Sequence, residues 1–170
     1  MNRVALVLME SEPLADRPDM PEGYLGGAPL PWAWAEEQLV EERNYWVTTL
    51  GPGGRAHVRP VWGVWLADTF QFSTGARHAT NLANDPRVTV NCESGDECVI
   101  VEGHGFGTDD EAMRQAFIAA YEPKYDWEMS LEFVDTLYVV RPQTVFGWIG
   151  AEIATGATLF GATATRWRFA

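Results

Sequence analysis

Positive charge is what this chain has least of. Lysine and arginine together number 12 against 24 aspartates and glutamates, a formal net charge of -12 over 170 residues. Proteins that grip phosphate backbones do so with a basic surface, so this balance argues against a nucleic-acid partner, and it disfavours an anionic membrane for the same reason. Cysteine is scarce too. Cys92 and Cys98 flank Glu93 to Glu97, and a turn centred on Gly95 makes a cross-strand disulfide conceivable. With no sign of secretion and no further cysteine to complete a zinc site, free thiols serving as small core residues are the favoured reading. Long apolar runs are missing. The one near the start, Val4 to Met9, is six residues long, far short of a membrane span and without the small-residue cleavage site of a signal peptide, so cytoplasm is the expected compartment. There is no Gly-x-Ser-x-Gly elbow, and the three histidines are not spaced with acids or cysteines as a zinc hydrolase requires. No metal site and no side-chain nucleophile is therefore expected; an enzyme of this composition would leave the chemistry to a cofactor.

Against the acidic background, one window reverses sign. Between Asn44 and Asn84 the chain carries Arg55, Arg59, Arg77, His57 and His78 but a single acid, Asp68. Folding does not demand such a reversal, and an anion held at that place explains it, phosphate being the commonest.

Patterning gives one domain. Residues 1–30 hold four prolines, four acids before Pro21 and a Gly26-Gly27 pair, and read as an extended arm ahead of a domain spanning residues 31–170. Trp32 to Arg43 reads as a helix with Trp32, Ala35 and Leu39 on its apolar face. From Tyr45 the period shifts to two. Tyr45 to Leu50, Arg55 to Leu66 and Thr69 to Thr74 form an antiparallel meander with turns at Gly51 to Gly54 and Ala67-Asp68, and Arg87 to Glu93 with Cys98 to Phe106 form a hairpin. Thr108 to Glu111 is a capping-box pattern for a helix with Ala112, Met113, Ala116, Phe117, Ala120 and Tyr121 on its inner side. Strands return at Val134 to Arg141 and Thr144 to Ile149. The expected fold is mainly β with helices (α+β), a small barrel of about six antiparallel strands and two or three peripheral helices rather than a parallel α/β sheet.

Within Arg55 to Leu66, alternation sets His57, Arg59, Val61, Gly63 and Trp65 on one face. An inward arginine needs an anionic partner. Gly63 marks either a close approach by a flat ring or a barrel corner, and Pro60 implies an edge or a bulge. Ser73-Thr74-Gly75-Ala76-Arg77-His78 precedes a short helical stretch, a suitable phosphate seat or an ordinary N-cap with a surface arginine behind it. Gly103-His104-Gly105-Phe106-Gly107 has the wrong spacing for a dinucleotide loop and is followed by acids, so it reads as a strand with small residues. Trp62, Trp65, Trp148 and Trp167 either wall a planar cofactor or fill the core and an interface. Arg166-Trp167-Arg168, in an end with no acid after Glu152, either closes over a site, including that of a neighbouring subunit, or is a solvated terminus.

Asn44 to Leu50, Gly54 to Trp65, Phe72 to Gly75, Asn81 to Val88, Val101 to Gly103, Tyr121 to Trp127 and Thr165 to Phe169, in that order, resemble the pyridoxamine 5'-phosphate oxidase-related split-barrel proteins, and most of all their flavin/deazaflavin-dependent oxidoreductase branch. The resemblance runs from about Pro31 to the C-terminus. It implies a split β-barrel homodimer with a cofactor, deazaflavin coenzyme F-420 or flavin mononucleotide (FMN), in a groove between subunits. By position, Arg59, Pro60, Val61, Trp62 and Gly63 would line the ring and ribityl chain, with Phe72, Ser73 and Thr74 flanking the chain. Arg77, His78 and Asn81 would serve the phosphate, and Trp148, Arg166 and Arg168 would complete the cofactor-binding set. The family usually has a Ser-Arg-Lys segment where this chain reads Ala76-Arg77-His78, so a titratable group replaces a fixed cation. Arg141 to Trp148 resembles a strand of pyridoxamine 5'-phosphate oxidase itself, but the arginine-histidine pair that recognises the vitamin phosphate has no counterpart. The implied function is hydride transfer to or from a small organic substrate over the ring, with no catalytic acid or base assigned; the alternative is a non-catalytic flavin- or haem-sequestering protein of the same fold.

Overall fold

A computed structural model describes residues 12–22, 26–75, 77–152 and 157–170. The elements follow in the order β1 (Leu14–Asp16), α1 (Trp32–Glu41), β2 (Tyr45–Leu50), a 3-10 turn (Pro52–Gly54), β3 (Ala56–Val61), β4 (Gly63–Leu66), β5 (Thr69–Ser73), α2 (Arg77–Asn84) and β6 (Arg87–Cys92). They continue with β7 (Glu97–Thr108), α3 (Glu111–Tyr125), β8 (Leu137–Ile149), β9 (Ala151–Glu152), β10 (Ala157–Thr158), α4 (Phe160–Thr163) and β11 (Thr165–Arg168). Every strand pairing is antiparallel. The main ladder runs β3-β2-β6-β7-β8, and β8 continues through β5 to β4. Its two ends, β3 and β4, are consecutive in the chain and joined through Trp62 alone, so the sheet wraps around a single interior instead of lying flat.

Period-two alternation sets what faces that interior. Along β2, Tyr45, Val47 and Thr49 are buried while Trp46 is exposed; along β6, Val88, Val90 and Cys92 are buried. They meet Phe70, Phe72, Val99, Val101, Val145 and Trp167 in the main core, which α1 closes with Trp32, Ala35 and Leu39. A second core under α3 gathers Val64, Phe117, Tyr121, Tyr125, Val134, Leu137 and Val139. Lys124 ties the two helices together by donating to the Val40 carbonyl (2.8 Å) and the Tyr45 hydroxyl (2.7 Å).

The single long strand expected over Arg55 to Leu66 is two strands, β3 on β2 and β4 on β5, meeting at a corner. Gly63 permits that corner: a Cβ there would lie 2.4 Å from the Phe70 ring and 2.7 Å from the Gln71 carbonyl oxygen. The Gly63 N–H donates to the Tyr125 hydroxyl at 3.0 Å, and that hydroxyl lies 2.7 Å from the Gly63 carbonyl and 2.9 Å from that of Arg43. Trp62 stacks on the Tyr125 ring, centroids 4.8 Å apart and planes 12° from parallel. Pro60 lies on the free edge of β3, opposite Trp46, where its missing N–H breaks no ladder bond.

Other expectations shift. The strands expected at Val134 to Arg141 and Thr144 to Ile149 are one strand, β8, carrying a bulge that passes over Gln143 between the pairs Gly103↔Pro142 and Glu102↔Thr144. A bulge accommodates a proline without loss of a ladder donor. The α3 N-cap is Asp110, which accepts the Met113 N–H at 3.0 Å, instead of Thr108, and α3 runs through Pro123 to Tyr125, ending on Asp126 at φ 53. Ala112 and Ala116, expected on its inner side, are exposed, since Phe117, Tyr121 and Tyr125 carry the packing. The tail carries a fourth short helix, α4, and the strand β11, which pairs β8 on one side and β1 on the other. The N-terminal arm is thus docked along the sheet by β1, and Arg17 donates to the carbonyls of Ala162 (2.9 Å), Ala164 (2.5 Å) and Gly26. Cys92 and Cys98 are free and buried; the register pairs Asn91 with Ile100, which sets Cys92 beside Val99 instead of Cys98. No helix among the described residues is long and apolar enough to cross a membrane.

Two substitutions test the corner. Gly63→Ala is expected to lower stability by about 1–3 kcal/mol through overpacking, and by less in a Phe70→Leu background that removes the ring atom it meets; urea unfolding of the four variants in the cycle checks this. Tyr125→Phe leaves the Gly63 N–H unpartnered and is expected to cost about 1–3 kcal/mol in the same assay.

Candidate anion and cofactor site

The strand β3 projects His57 and Arg59 on the face it shares with buried Val47 and Thr49 of β2, because Thr49 pairs with His57 and Val47 with Arg59. The helix α2 starts at Arg77 and brings His78 against the same edge. The two imidazoles meet, with ring centroids 4.8 Å apart. Arg59 and Arg77 both depress the pKa of His57, after partial burial as the leading cause, and Arg59 acts on His78 too, so both guanidiniums lie within electrostatic reach of the imidazole pair. Arg59 donates to the carbonyl of Val58 at 2.7 Å, and among the described residues neither Arg59 nor Arg77 is ion-paired with a carboxylate.

Beneath the guanidiniums lies a fixed polar relay. Asn81 Nδ2 donates to Thr49 Oγ1 at 2.9 Å, and Thr49 Oγ1 is 3.0 Å from His78 Nδ1. Thr49 Oγ1 accepts from Asn81 and has its own proton to give to Nδ1, and in that arrangement the proton of a neutral imidazole sits on Nε2. That Nε2 is buried and has no partner. Burial, then His57 and Arg59, push the His78 pKa down to about 4, so the ring is neutral at ordinary pH. A buried donor left unmade costs about 1–3 kcal/mol, and this one sits among cations, where an anionic acceptor fits it best. The residues present therefore suit a phosphate or a similar oxyanion.

Of the residues expected at the site, Arg59, Arg77 and His78 come together, and His57 joins them. Ser73 and Thr74 are half-buried and, with Gly75, Ala79, Asp135 and Tyr138, line a cavity of about 450 Å³ beside the start of α2. Val61 is half-buried against the core, Pro60 is exposed, and Trp62 is 38% exposed with the Arg43 guanidinium 5.3 Å from its ring centroid. Three expectations need correction. Gly63 offers no open face to a ring, since Phe70 fills the space over it. Phe72 is fully buried, touching His78 edge-on at 6.3 Å between centroids, and supports the site from below. Asn81 is buried and acts on Thr49, so it orients His78 instead of meeting an anion.

The C-terminal set lies elsewhere in the chain. Arg166 is bonded to Asp16 (2.8 Å) and Asp19 (3.1 Å), and Arg168 to Asp16 (3.1 Å), so the pair of arginines fastens the N-terminal arm. Trp148 packs edge-on against Phe160, centroids 5.4 Å apart. Trp65 and Trp167 are core residues. Thr49 escaped notice in the sequence; its signal is a hydroxyl at an inward position of an otherwise apolar strand face. Tyr125 escaped too, one helical turn after Tyr121 on the buried face of α3.

No sequence-family profile and no curated protein matches the chain. Solved structures do. A Listeria innocua protein named for pyridoxamine 5'-phosphate oxidase superposes with a TM-score of 0.54 at 15% identity, covering 68% of this chain and 93% of that one. An F-420 reductase gives 0.53 at 23% identity, covering 74% and 98%. A heme-binding protein from Mycobacterium smegmatis gives 0.53 at 22% identity, covering 69% and 54%. The likeness is one of fold: this chain has the split-barrel fold that those structures share.

Proposed function

We propose that the chain is a flavin- or deazaflavin-dependent oxidoreductase that holds the phosphorylated tail of FMN or of coenzyme F-420 in the basic cluster. The observation that carries this reading is the convergence of Arg59, Arg77, His57 and His78, without a carboxylate, around a buried donor that has no partner. Two guanidiniums hold a phosphate through charge-assisted hydrogen bonds, and His78 Nε2 supplies a further donor whose direction the Thr49-Asn81 relay fixes. Ser73 and Thr74 border the neighbouring cavity, where a polyhydroxyl chain finds hydroxyl partners. Pro60, Val61 and Trp62, between Arg59 and the corner, form the strand edge for the ring. When bound, the ring supplies hydride chemistry; the protein's part is to orient it and to keep one face for a small organic substrate.

The same reading includes a homodimer. Trp46 of β2 and Val58 of β3, 40% and 39% exposed, lie on the face opposite His57 and Arg59, and Trp62 at the corner is 38% exposed, an apolar surface that a second copy would cover. The alternative is a non-catalytic binder, favoured by the likeness to a heme-binding protein and by the fact that heme propionates are anions that the same arginines would meet.

Fluorescence titration of the purified protein decides among these. FMN or F-420 is expected to saturate at tens of micromolar or below, an affinity of roughly 6 kcal/mol. Arg59→Gln and Arg77→Gln are each expected to weaken FMN about tenfold while leaving riboflavin, which lacks the phosphate, unchanged. No saturation by either cofactor ends the redox reading, and saturation by hemin alone establishes the binder.

Thermal unfolding without added anion tests the burial of His78. Its imidazole is held near 4 in the fold and titrates near 6.5 when unfolded, so the unfolded chain takes up the proton first and stability falls as pH drops from about 6.5 towards 4. The gap between wild type and His78→Asn is expected to narrow over that window and to be constant above it.

A further inference from the structure

The paired imidazoles have a role that two arginines alone would not provide. We infer that the adjoining, mutually tilted rings of His57 and His78 make the cluster a proton-coupled clamp for a phosphate monoester, taking up one proton from solvent as the dianion enters and releasing it as the dianion leaves. This rests on the reading of the cluster as the phosphate site and adds the charge state in which it binds.

The geometry carries the inference. The rings lie 4.8 Å apart between centroids, too close for both to be charged without an anion between or beside them. His78 is buried with one nitrogen fixed by Thr49 and the other without a partner. The groups facing the pair are Arg59 on β3, Arg77 and Asn81 on α2, Thr49 on β2 and the Phe72 ring on β5. The influences on the two rings are burial and neighbouring cations, and none is a carboxylate. The free protein thus keeps both imidazoles neutral at pH 7, with the guanidiniums as its only fixed charge there. A dianion reverses the balance, since an opposite charge within hydrogen-bond reach favours the charged ring. The shared proton belongs to the pair and not to one ring.

The sign of the pH dependence separates this from the ligand's own titration. A phosphate monoester loses its second proton near pH 6, so its ionisation strengthens binding as pH rises and is complete by about pH 7. The clamp predicts the opposite above that point. Affinity for FMN falls by up to about tenfold between pH 7 and 8, with close to one proton taken up per FMN bound at pH 7. Calorimetry in buffers of different ionisation enthalpy reads the uptake. The chain has three histidines, so imidazole C2–H signals are resolvable by proton NMR, with exposed His104 as reference. Adding FMN or inorganic phosphate is expected to move the midpoints of two signals upward, the higher of them to about pH 8 or above, and His57→Gln to abolish most of the proton uptake at FMN concentrations raised to saturate the variant. Riboflavin is expected to move neither. Two histidine midpoints unmoved by saturating FMN, or an uptake near zero, overturns the clamp while leaving the flavin reading intact. Midpoints that move with inorganic phosphate while no flavin or deazaflavin saturates overturn the redox reading and leave the clamp standing.

Discussion

Phe70 occupies the space in which residue 63 would carry a side chain, and that contact obliges the chain to turn. Coming off β2, the strand can continue only by leaving its partner at Val61 and joining β5 at Gly63, with Tyr125 accepting from the Gly63 N–H and stacking on the intervening Trp62. Because of this turn the ladder returns on itself and encloses a core. It also sets β3 as a free edge, and on that edge His57 and Arg59 face the first turn of α2. Packing at one glycine thus positions the chemistry several residues away.

The cluster is an electrostatic exception held by sterically ordinary parts. In a chain of net charge -12, Arg59 and Arg77 are among seven described arginines, with Arg17, Arg43, Arg55, Arg114 and Arg141, that form no ion pair among the described residues, while Arg87, Arg166 and Arg168 hold aspartates. Uncompensated like charges repel, and the fold answers by neutralising what it can: burial and neighbouring cations keep His57 and His78 deprotonated. The relay from Asn81 through Thr49 spends its last donor on His78 and leaves Nε2 without a partner. A neutral His78 protonated on Nε2 has no acceptor among the described residues, and that is the physical ground on which an anion is proposed there.

Much of the architecture was legible in period alone. Tyr45 to Leu50 alternates so cleanly that its strand has the expected ends, and Trp32, Ala35 and Leu39 lie buried on α1 as their spacing implies. Caps misled where distant packing overrode them: Asp110 took the N-cap from Thr108, and α3 continues through Pro123 to Tyr125. The strand β11 was hidden because a short Thr-Arg-Trp-Arg run shows its alternation only once β8 and β1 flank it. The two arginines of that run read as free charge, since the acids that hold them, Asp16 and Asp19, lie far away along the chain.

The sequence by itself determined the strand and helix content, the acidic surface and the basic window, because composition and alternation act locally along the chain. The three-dimensional fold decided which members of that window meet. Arg59, Arg77, His57 and His78 converge through a corner at Gly63 and a register that pairs His57 with Thr49, and register depends on the turn and on Phe70, not on the residues it aligns. It also buried Phe72 and Asn81 and set Phe70 over Gly63, since burial is a property of the whole packed interior that no stretch of sequence states on its own.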